Sequence, residues 1–294
     1  ENKHPGNNSA MQTKQARFPS ASVGACARRT ALALGLAAFL SAPVAWAREG
    51  VEVGGNSMFT NLVSADQVER DATVQYARML EKARGLNALG AADHPQVRRL
   101  RAIAQRIIPY TVAWNPRARD WRWEVNLIGS NQINAFCMPG GKIAFYTGLL
   151  QTLQLSDDEV AMVMGHEIAH ALREHARERM GKNAATGVGA GLISQLLGFG
   201  QLGQTAMNYG AQLLTLEFSR EDESEADLVG MELAARAGFD PRAGVTLWQK
   251  MGAANKGAPP QWLSTHPSGK TRIADIQANL PKVMPLYERA ATVR

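Results

Sequence analysis

Cysteine is scarce in this sequence: Cys26 and Cys137 are the only two among 294 residues. Cys26 precedes an apolar run at residues 30–44 that has the pattern of an export signal, so Cys137 is the only thiol of the predicted mature chain. An intramolecular disulfide is therefore excluded there, and stability must come from a hydrophobic core. No cysteine stands directly after the predicted cleavage point, where a lipid-anchored lipoprotein would need one, so this class is excluded. We expect Cys137 to be a small buried hydrophobe in a strand.

A helix needs about 20 apolar residues to cross a membrane, and the sequence lacks an apolar run of that length. The run at 30–44 follows Arg28 and Arg29 and leads into Ala-Trp-Ala at 45–47. This order predicts a secretory signal peptide that is cleaved after Ala47. An uncleaved N-terminal anchor is the alternative. We therefore divide the chain into an N-terminal extension with a signal peptide at 1–47 and a single domain at 48–294.

A large charge excess is absent from the predicted mature chain. The whole sequence has 32 basic and 26 acidic residues, a net charge of +6. Residues 1–47 contain five of the basic residues and one of the acidic residues, so the remainder has a net charge of only +2. A nucleic-acid-binding function is not supported by so balanced a chain.

The hydrophobic pattern predicts a mostly helical α+β domain. Apolar residues recur at helical spacing over 65–86 and 94–108, and the pattern alternates as in strands over 121–127. Segments 134–138 and 142–146 flank Pro-Gly-Gly at 139–141, which predicts a small antiparallel sheet with a hairpin. Two further helices are expected at 157–180 and at 212–237. The glycine-rich segment 187–210 between them favours a mobile lid or a loose helical pair over a re-entrant membrane segment.

The strongest motif is His-Glu-Ile-Ala-His at 166–170, the HExxH pattern of zinc peptidases. His166 and His170 fall one helical turn apart on one face, so their rings can converge on one Zn²⁺. Glu167 can then reach a zinc-bound water rather than the metal. Two histidines and a glutamate on a largely apolar helix would be costly to bury without a partner. His175 lies off this face, and we expect it to be an ordinary residue.

A third zinc ligand is expected from the acidic run Ser-Arg-Glu-Asp-Glu-Ser-Glu-Ala-Asp at 219–227. Glu223 and Asp227 are four residues apart and share one helical face, whereas Glu225 points nearly opposite. Glu223 can therefore bind zinc. Asp227, one turn further on, can accept the distal N–H of a ligand histidine and fix its tautomer.

Together the segments at 166–170, 219–227, 134–150 and 264–273 resemble the zinc metallopeptidases of peptidase family M48, the HtpX and CAAX-prenyl-protease type. The resemblance is greatest to the soluble exported branch that includes BepA and LoiP. It implies a zincin (gluzincin) fold with one zinc ion per chain, His166, His170 and Glu223 as ligands, and Glu167 as catalytic base. It implies that residues 134–138, Asn134, Ala135, Phe136, Cys137 and Met138, form the edge strand that pairs with an extended substrate.

The resemblance also gives roles to two residues that spacing alone leaves unassigned. His266 matches a family histidine near the cleft that either binds the metal in a latent state or helps to stabilise the oxyanion. Arg272 matches an arginine that lines the site. We include both among the candidate catalytic residues.

These observations predict an exported, periplasmic zinc endopeptidase that hydrolyses unfolded or extended polypeptides. The resemblance implies quality control of envelope proteins, with peripheral contact to the outer membrane or its assembly machinery. The alternative is a periplasmic chaperone or assembly factor in which His266 or the glycine-rich segment keeps the zinc site latent.

Overall fold

In the computed structural model, helices surround one small sheet. The structure describes residues 48–186, 217–254, 261–266 and 271–292, which fall within one compact unit. Its helices are α1 (Ala65–Gly85), α2 (Pro95–Ile107), α3 (Thr147–Leu153), α4 (Asp157–Leu172), α5 (His175–Ala185), α6 (Arg220–Arg236), α7 (Ala243–Ala254), α8 (Gln261–Thr265) and α9 (Arg272–Thr292). The strands are β1 (Glu124–Ile128), β2 (Ala135–Met138) and β3 (Lys142–Tyr146). The predicted signal peptide at 1–47 and the glycine-rich segment at 187–210 lie outside the described residues.

The sheet has the strand order β1-β3-β2 and is mixed. β2 and β3 form the predicted antiparallel hairpin, in which Met138 pairs with Lys142 across a turn at Gly140 and Gly141. Both glycines have positive φ, +81° and +77°, which favours glycine. β3 pairs in parallel with β1, so the expectation of a wholly antiparallel sheet is wrong. The reason is that β3 returns between β1 and β2, so that strands neighbouring in sequence are not all neighbours in space.

Helix α4 lies at the centre of the core, and its residues from 159 to 172 are all buried. It begins at a capping box: Ser156 Oγ accepts from the Glu159 amide at 3.2 Å, and Glu159 Oε2 accepts from the Ser156 amide at 2.8 Å. Both β2 of the sheet and α6 pack against α4. A helix with apolar side chains on all sides fits such an enclosed position.

Two glycines allow α4 and α6 to cross at close range. A Cβ atom on Gly165 would lie 2.5 Å from the carbonyl oxygen of Gly230. A Cβ atom on Gly230 would lie 2.5 Å from the amide nitrogen of His166. Since both obstructing atoms belong to backbone, larger residues would force the helices apart. The crossing fixes the acidic start of α6 over the histidines of α4.

Two helix boundaries differ from the sequence prediction. The helix expected at 157–180 is broken after Leu172, because Glu174 adopts a left-handed conformation with φ +58°. The helix expected from 212 begins at Arg220, where Ser219 and Asp222 form a second capping box. Residues 217–219 are not helical, and 212–216 lie outside the described residues. The helices predicted at 65–86 and 94–108 are confirmed to within one residue at each end.

No helix in the part of the chain that the structure describes is both long and apolar enough to cross a membrane.

Candidate active site

The two histidines of the HExxH motif converge as the helical spacing predicts. His166 and His170 are buried on one face of α4, and their Nε2 atoms lie 3.1 Å apart. Glu223, near the start of α6, faces both rings: its Oε1 lies 3.4 Å from His170 Nε2 and its Oε2 lies 3.5 Å from His166 Nε2. The α4–α6 crossing therefore brings together the three ligands predicted from sequence.

His266 completes this group. Its Nδ1 lies 3.3 Å from His166 Nε2 and 2.9 Å from Glu223 Oε1, and its side chain is buried. One ligand atom from each of His166, His170, Glu223 and His266 lies within 4.8 Å of all the others. The structure thus places His266 among the side chains that could hold a metal ion.

These four side chains fit a zinc ion. Ligand atoms in a tetrahedral zinc site are about 3.3 Å apart, since each lies about 2.0–2.1 Å from the metal. The separations of 2.9, 3.1, 3.3, 3.4 and 3.5 Å between neighbouring ligand atoms lie around that value. His166 donates its Nδ1–H to Asp227 Oδ1 at 3.0 Å, so its Nε2 carries a lone pair toward the other ligands. Lone pairs that converge with a carboxylate in this way can share a metal ion.

Burial and nearby charge set the protonation of the ligands. Burial is the largest influence on His170 and lowers its pKa well below the usual value, so the ring is neutral. Burial would raise the pKa of Glu223, but the facing His266 and His170 outweigh it, and the pKa is lowered. Burial would lower the pKa of His266, but the carboxylates of Glu167 and Glu223 outweigh it, and the pKa is raised. Neutral His170 and ionised Glu223 are therefore in the forms that bind zinc, whereas the raised pKa of His266 favours a protonated ring that must lose its proton to bind metal.

Asp227 and Arg272 contact the candidate ligands His166 and Glu223. Arg272 donates Nε–H to Asp227 Oδ2 at 2.6 Å and Nη1–H to Glu223 Oε2 at 2.5 Å. Its guanidinium also stacks over the Trp248 ring, 3.7 Å from the centroid. Burial would raise the pKa of Asp227, but the charge of Arg272 outweighs it and the pKa is lowered. The structure places Arg272 against the two carboxylates of α6.

Glu167 lies beside the ligands and is held by a residue that the sequence did not single out. Trp262, fully buried in α8, donates its indole N–H to Glu167 Oε1 at 2.6 Å. The same oxygen lies 3.5 Å from His266 Nε2. No recurring motif surrounds this tryptophan, so only the tertiary structure reveals the contact. The indole fixes the orientation of the predicted catalytic base.

His175, expected to be an ordinary residue off the zinc face, is buried beside His170 in the structure. His175 is 1% exposed, and its Nδ1 lies 2.9 Å from Nδ1 of His170. The helix break at Glu174 turns the first residue of α5 back toward the metal-ligating face, which a continuous helix would not do. Phe218, also unassigned from sequence, stacks on the ring of His170 at 4.0 Å between centroids.

A cleft opens beside the ligands, between β2 and α4. It is lined by the five residues predicted to bind substrate, by three candidate site residues and by five neighbours: Asn134, Ala135, Phe136, Cys137 and Met138; Glu167, His170 and His266; and Pro139, Ala171, Ala176, Phe218 and Thr265. β2 is an edge strand of the sheet. Burial raises the pKa of the Cys137 thiol well above its usual value, as for a packed hydrophobe.

Comparison with known proteins agrees with this geometry. Residues 94–280 match the model of peptidase family M48. Mitochondrial metalloendopeptidase OMA1 of Arabidopsis thaliana is 41% identical over 150 residues, which cover 51% of this chain and 30% of the relative. OMA1 of Schizosaccharomyces pombe is 36% identical over 192 residues, 64% of this chain and 54% of the relative. The beta-barrel assembly-enhancing protease of Escherichia coli O157:H7 is 33% identical over 175 residues, 56% and 36% respectively. The matches thus span between 30% and 54% of these relatives.

Proposed function

The chain belongs to peptidase family M48, and from that premise we propose that it is a zinc-dependent endopeptidase that cleaves extended polypeptide segments. The observation that carries the proposal is the convergence of His166, His170 and Glu223 beside Glu167 at a cleft lined by β2. When bound there, zinc would polarise the scissile carbonyl group and lower the pKa of a water molecule toward 7.

The protein's own groups supply the proton transfers. Glu167 would accept the proton of the attacking water and later pass it to the leaving amine. Trp262 holds Oε1 of this carboxylate by its indole N–H, so the base is oriented before substrate arrives. Arg272 donates hydrogen bonds to the carboxylates of Glu223 and Asp227 at 2.5 and 2.6 Å. These contacts would keep the carboxylate of Glu223 oriented toward the zinc.

Substrates would bind along β2. An edge strand has backbone N–H and C=O groups that can pair with an added strand. Such pairing recognises the backbone of the substrate more than its side chains. The strand runs beside Glu167 and His170 in the lining of the cleft. Only a segment that can become fully extended would fit such a mode. We therefore propose unfolded or misassembled proteins as the substrate class.

A metal-removal experiment tests the activity. Purified protein should cleave unfolded casein, lose cleavage when its metal is removed by a chelator, and regain it on addition of one equivalent of zinc. A tightly folded protein of similar size, offered as a control, should stay intact. Cleavage that persists in metal-free protein would contradict the proposal. Zinc-loaded protein that binds unfolded casein without cleaving it would favour the chaperone alternative.

The fourth ligand suggests a latent form. A catalytic zinc keeps one position open for water or substrate, whereas His266 Nδ1 lies within 3.3 Å of His166 Nε2 and 2.9 Å of Glu223 Oε1. His266 would therefore occupy the position that substrate needs, and its withdrawal would activate the enzyme.

Replacement of His266 by Ala distinguishes the two roles of this residue. We expect casein cleavage to rise several-fold, since the open position is freed, while one zinc per chain is retained. Cleavage rate and metal content should be measured on the same sample. A fall of about tenfold or more with full zinc content would instead assign His266 to stabilisation of the oxyanion.

Export and envelope substrates are part of the same proposal. The basic, apolar and small-residue order of residues 1–47 supports export. Among the relatives, one name refers to β-barrel assembly in Escherichia coli and others to mitochondria. We propose a periplasmic enzyme that acts on envelope proteins, near the outer membrane or its assembly machinery. Fusion of residues 1–47 to a reporter active only after export tests the first part, and a reporter retained in the cytoplasm would contradict it.

A further inference from the structure

The two histidines on α4 are supported differently at their outer nitrogens. His166 reaches a carboxylate directly, since its Nδ1 lies 3.0 Å from Asp227 Oδ1. His170 Nδ1 instead faces His175 Nδ1 at 2.9 Å. His175 Nε2 in turn lies 2.8 Å from Glu225 Oε2. The side chain of His170 is therefore linked to a carboxylate through a second imidazole.

The proton positions along this chain follow from one requirement. If His170 binds metal through Nε2, its Nδ1 carries the hydrogen and donates it to the lone pair of His175 Nδ1. His175 then carries its own hydrogen on Nε2, and this hydrogen is donated to Glu225. Each contact is satisfied by one donor and one acceptor, and both histidines are neutral. The reverse order would place the hydrogen of His170 on the nitrogen that faces the metal site.

Glu225, at the outer end of this series of hydrogen bonds, is held by an ion pair. Arg173 Nη2 lies 2.9 Å from Glu225 Oε1, so the carboxylate is held by an arginine on one oxygen and by His175 on the other. His175 is 1% exposed, and Arg173 is 8% exposed. The left-handed backbone at Glu174 lies between these two residues and turns both side chains toward Glu225. The helix break thus builds this arrangement.

We propose that His175 is a positioning residue that fixes the tautomer and ring orientation of the zinc ligand His170, with Glu225 as its anchor. This inference rests on the proposed zinc site. Removal of such outer contacts typically weakens metal binding by about 10–100-fold. His175 would thus control how tightly the zinc is held, without contact with the substrate.

Zinc affinity measured by competition with a chelator of known strength tests the proposal. His175→Phe keeps the ring shape but loses both nitrogens, and we expect about 10–100-fold weaker binding. His175→Gln can accept from His170 and donate to Glu225, and it should restore most of the affinity. Glu225→Ala removes the acceptor at a partly exposed site and should weaken binding even if His175→Phe does not fold.

Asn115→Ala serves as the matched control. Asn115 donates its side-chain N–H to Leu172 O at 3.0 Å, so the substitution disturbs the same end of α4 without touching the chain of histidines. It should lower the melting temperature of the metal-free protein and leave zinc affinity within about twofold. Equal affinities of wild type, His175→Phe and Glu225→Ala would overturn the inference. So would equal losses in His175→Phe and His175→Gln. Absence of zinc binding by the wild type would instead overturn the proposed function itself.

Discussion

Replacing Glu167 with Gln is expected to lower the kcat of casein cleavage by about 10²–10⁴-fold, the usual contribution of a positioned general base. The amide has nearly the same shape and can still accept the 2.6 Å hydrogen bond from Trp262. It cannot accept the proton of the attacking water. Zinc content, melting temperature and KM should therefore stay close to those of the wild type, and steady-state kinetics with metal analysis measures all of these.

Glu178→Gln makes the same chemical change away from the site. Glu178 pairs with Lys182 across one turn of α5 at 2.6 Å, an ion pair of small energetic value. The kcat of Glu178→Gln should therefore equal that of the wild type. If Glu167→Gln kept its kcat within about tenfold of the wild type while fully loaded with zinc, Glu167 would not be the base.

A second large effect is expected from Gly230→Ala, although residue 230 touches no substrate. The added Cβ would meet the His166 amide nitrogen at 2.5 Å, and since that atom is backbone, α6 must move away from α4. Overpacking of this kind costs about 1–3 kcal/mol, and each kcal/mol lowers the melting temperature by about 2–4 °C in a domain of this size. The shift also carries Glu223 away from the histidines. Because a displacement of about 1 Å can cost 10²-fold in rate, kcat/KM should fall by about that factor.

Gly252→Ala provides the comparison within the same fold. A Cβ atom at Gly252 in α7 would meet nothing within 4 Å. The substitution should leave activity unchanged and raise stability by about 0.5–1 kcal/mol, since alanine favours the helix. Thermal unfolding and kcat/KM of both variants show whether the close α4–α6 crossing sets stability and activity. Equal behaviour of Gly230→Ala and Gly252→Ala would contradict the role given to the helix crossing.

The two halves of the candidate zinc site could be predicted because the geometry within each helix is local, and the family resemblance joined them. His166 and His170 lie one turn apart on a helix, and the four-residue spacing of Glu223 and Asp227 places both on one face of α6. Helical period depends on neighbours in sequence, which are visible without the fold.

The contacts that sequence could not give depend on breaks and distant neighbours. His175 was set aside because a continuous helix would turn it away from His170, and only the left-handed backbone at Glu174 reverses that direction. Trp262 meets Glu167 across 95 residues of sequence. The parallel pairing of β1 with β3 was missed for the same reason, since strand order is a tertiary property.

Anomalous diffraction from crystals of the zinc-loaded protein, recorded above and below the zinc absorption edge, tests the central claim most directly. The account predicts a single strong peak per chain, about 2.0–2.2 Å from Nε2 of His166, Nε2 of His170 and a carboxylate oxygen of Glu223. Glu167 should lie beside the peak without binding it. A zinc peak elsewhere in the chain, or none between these three side chains, would contradict the account.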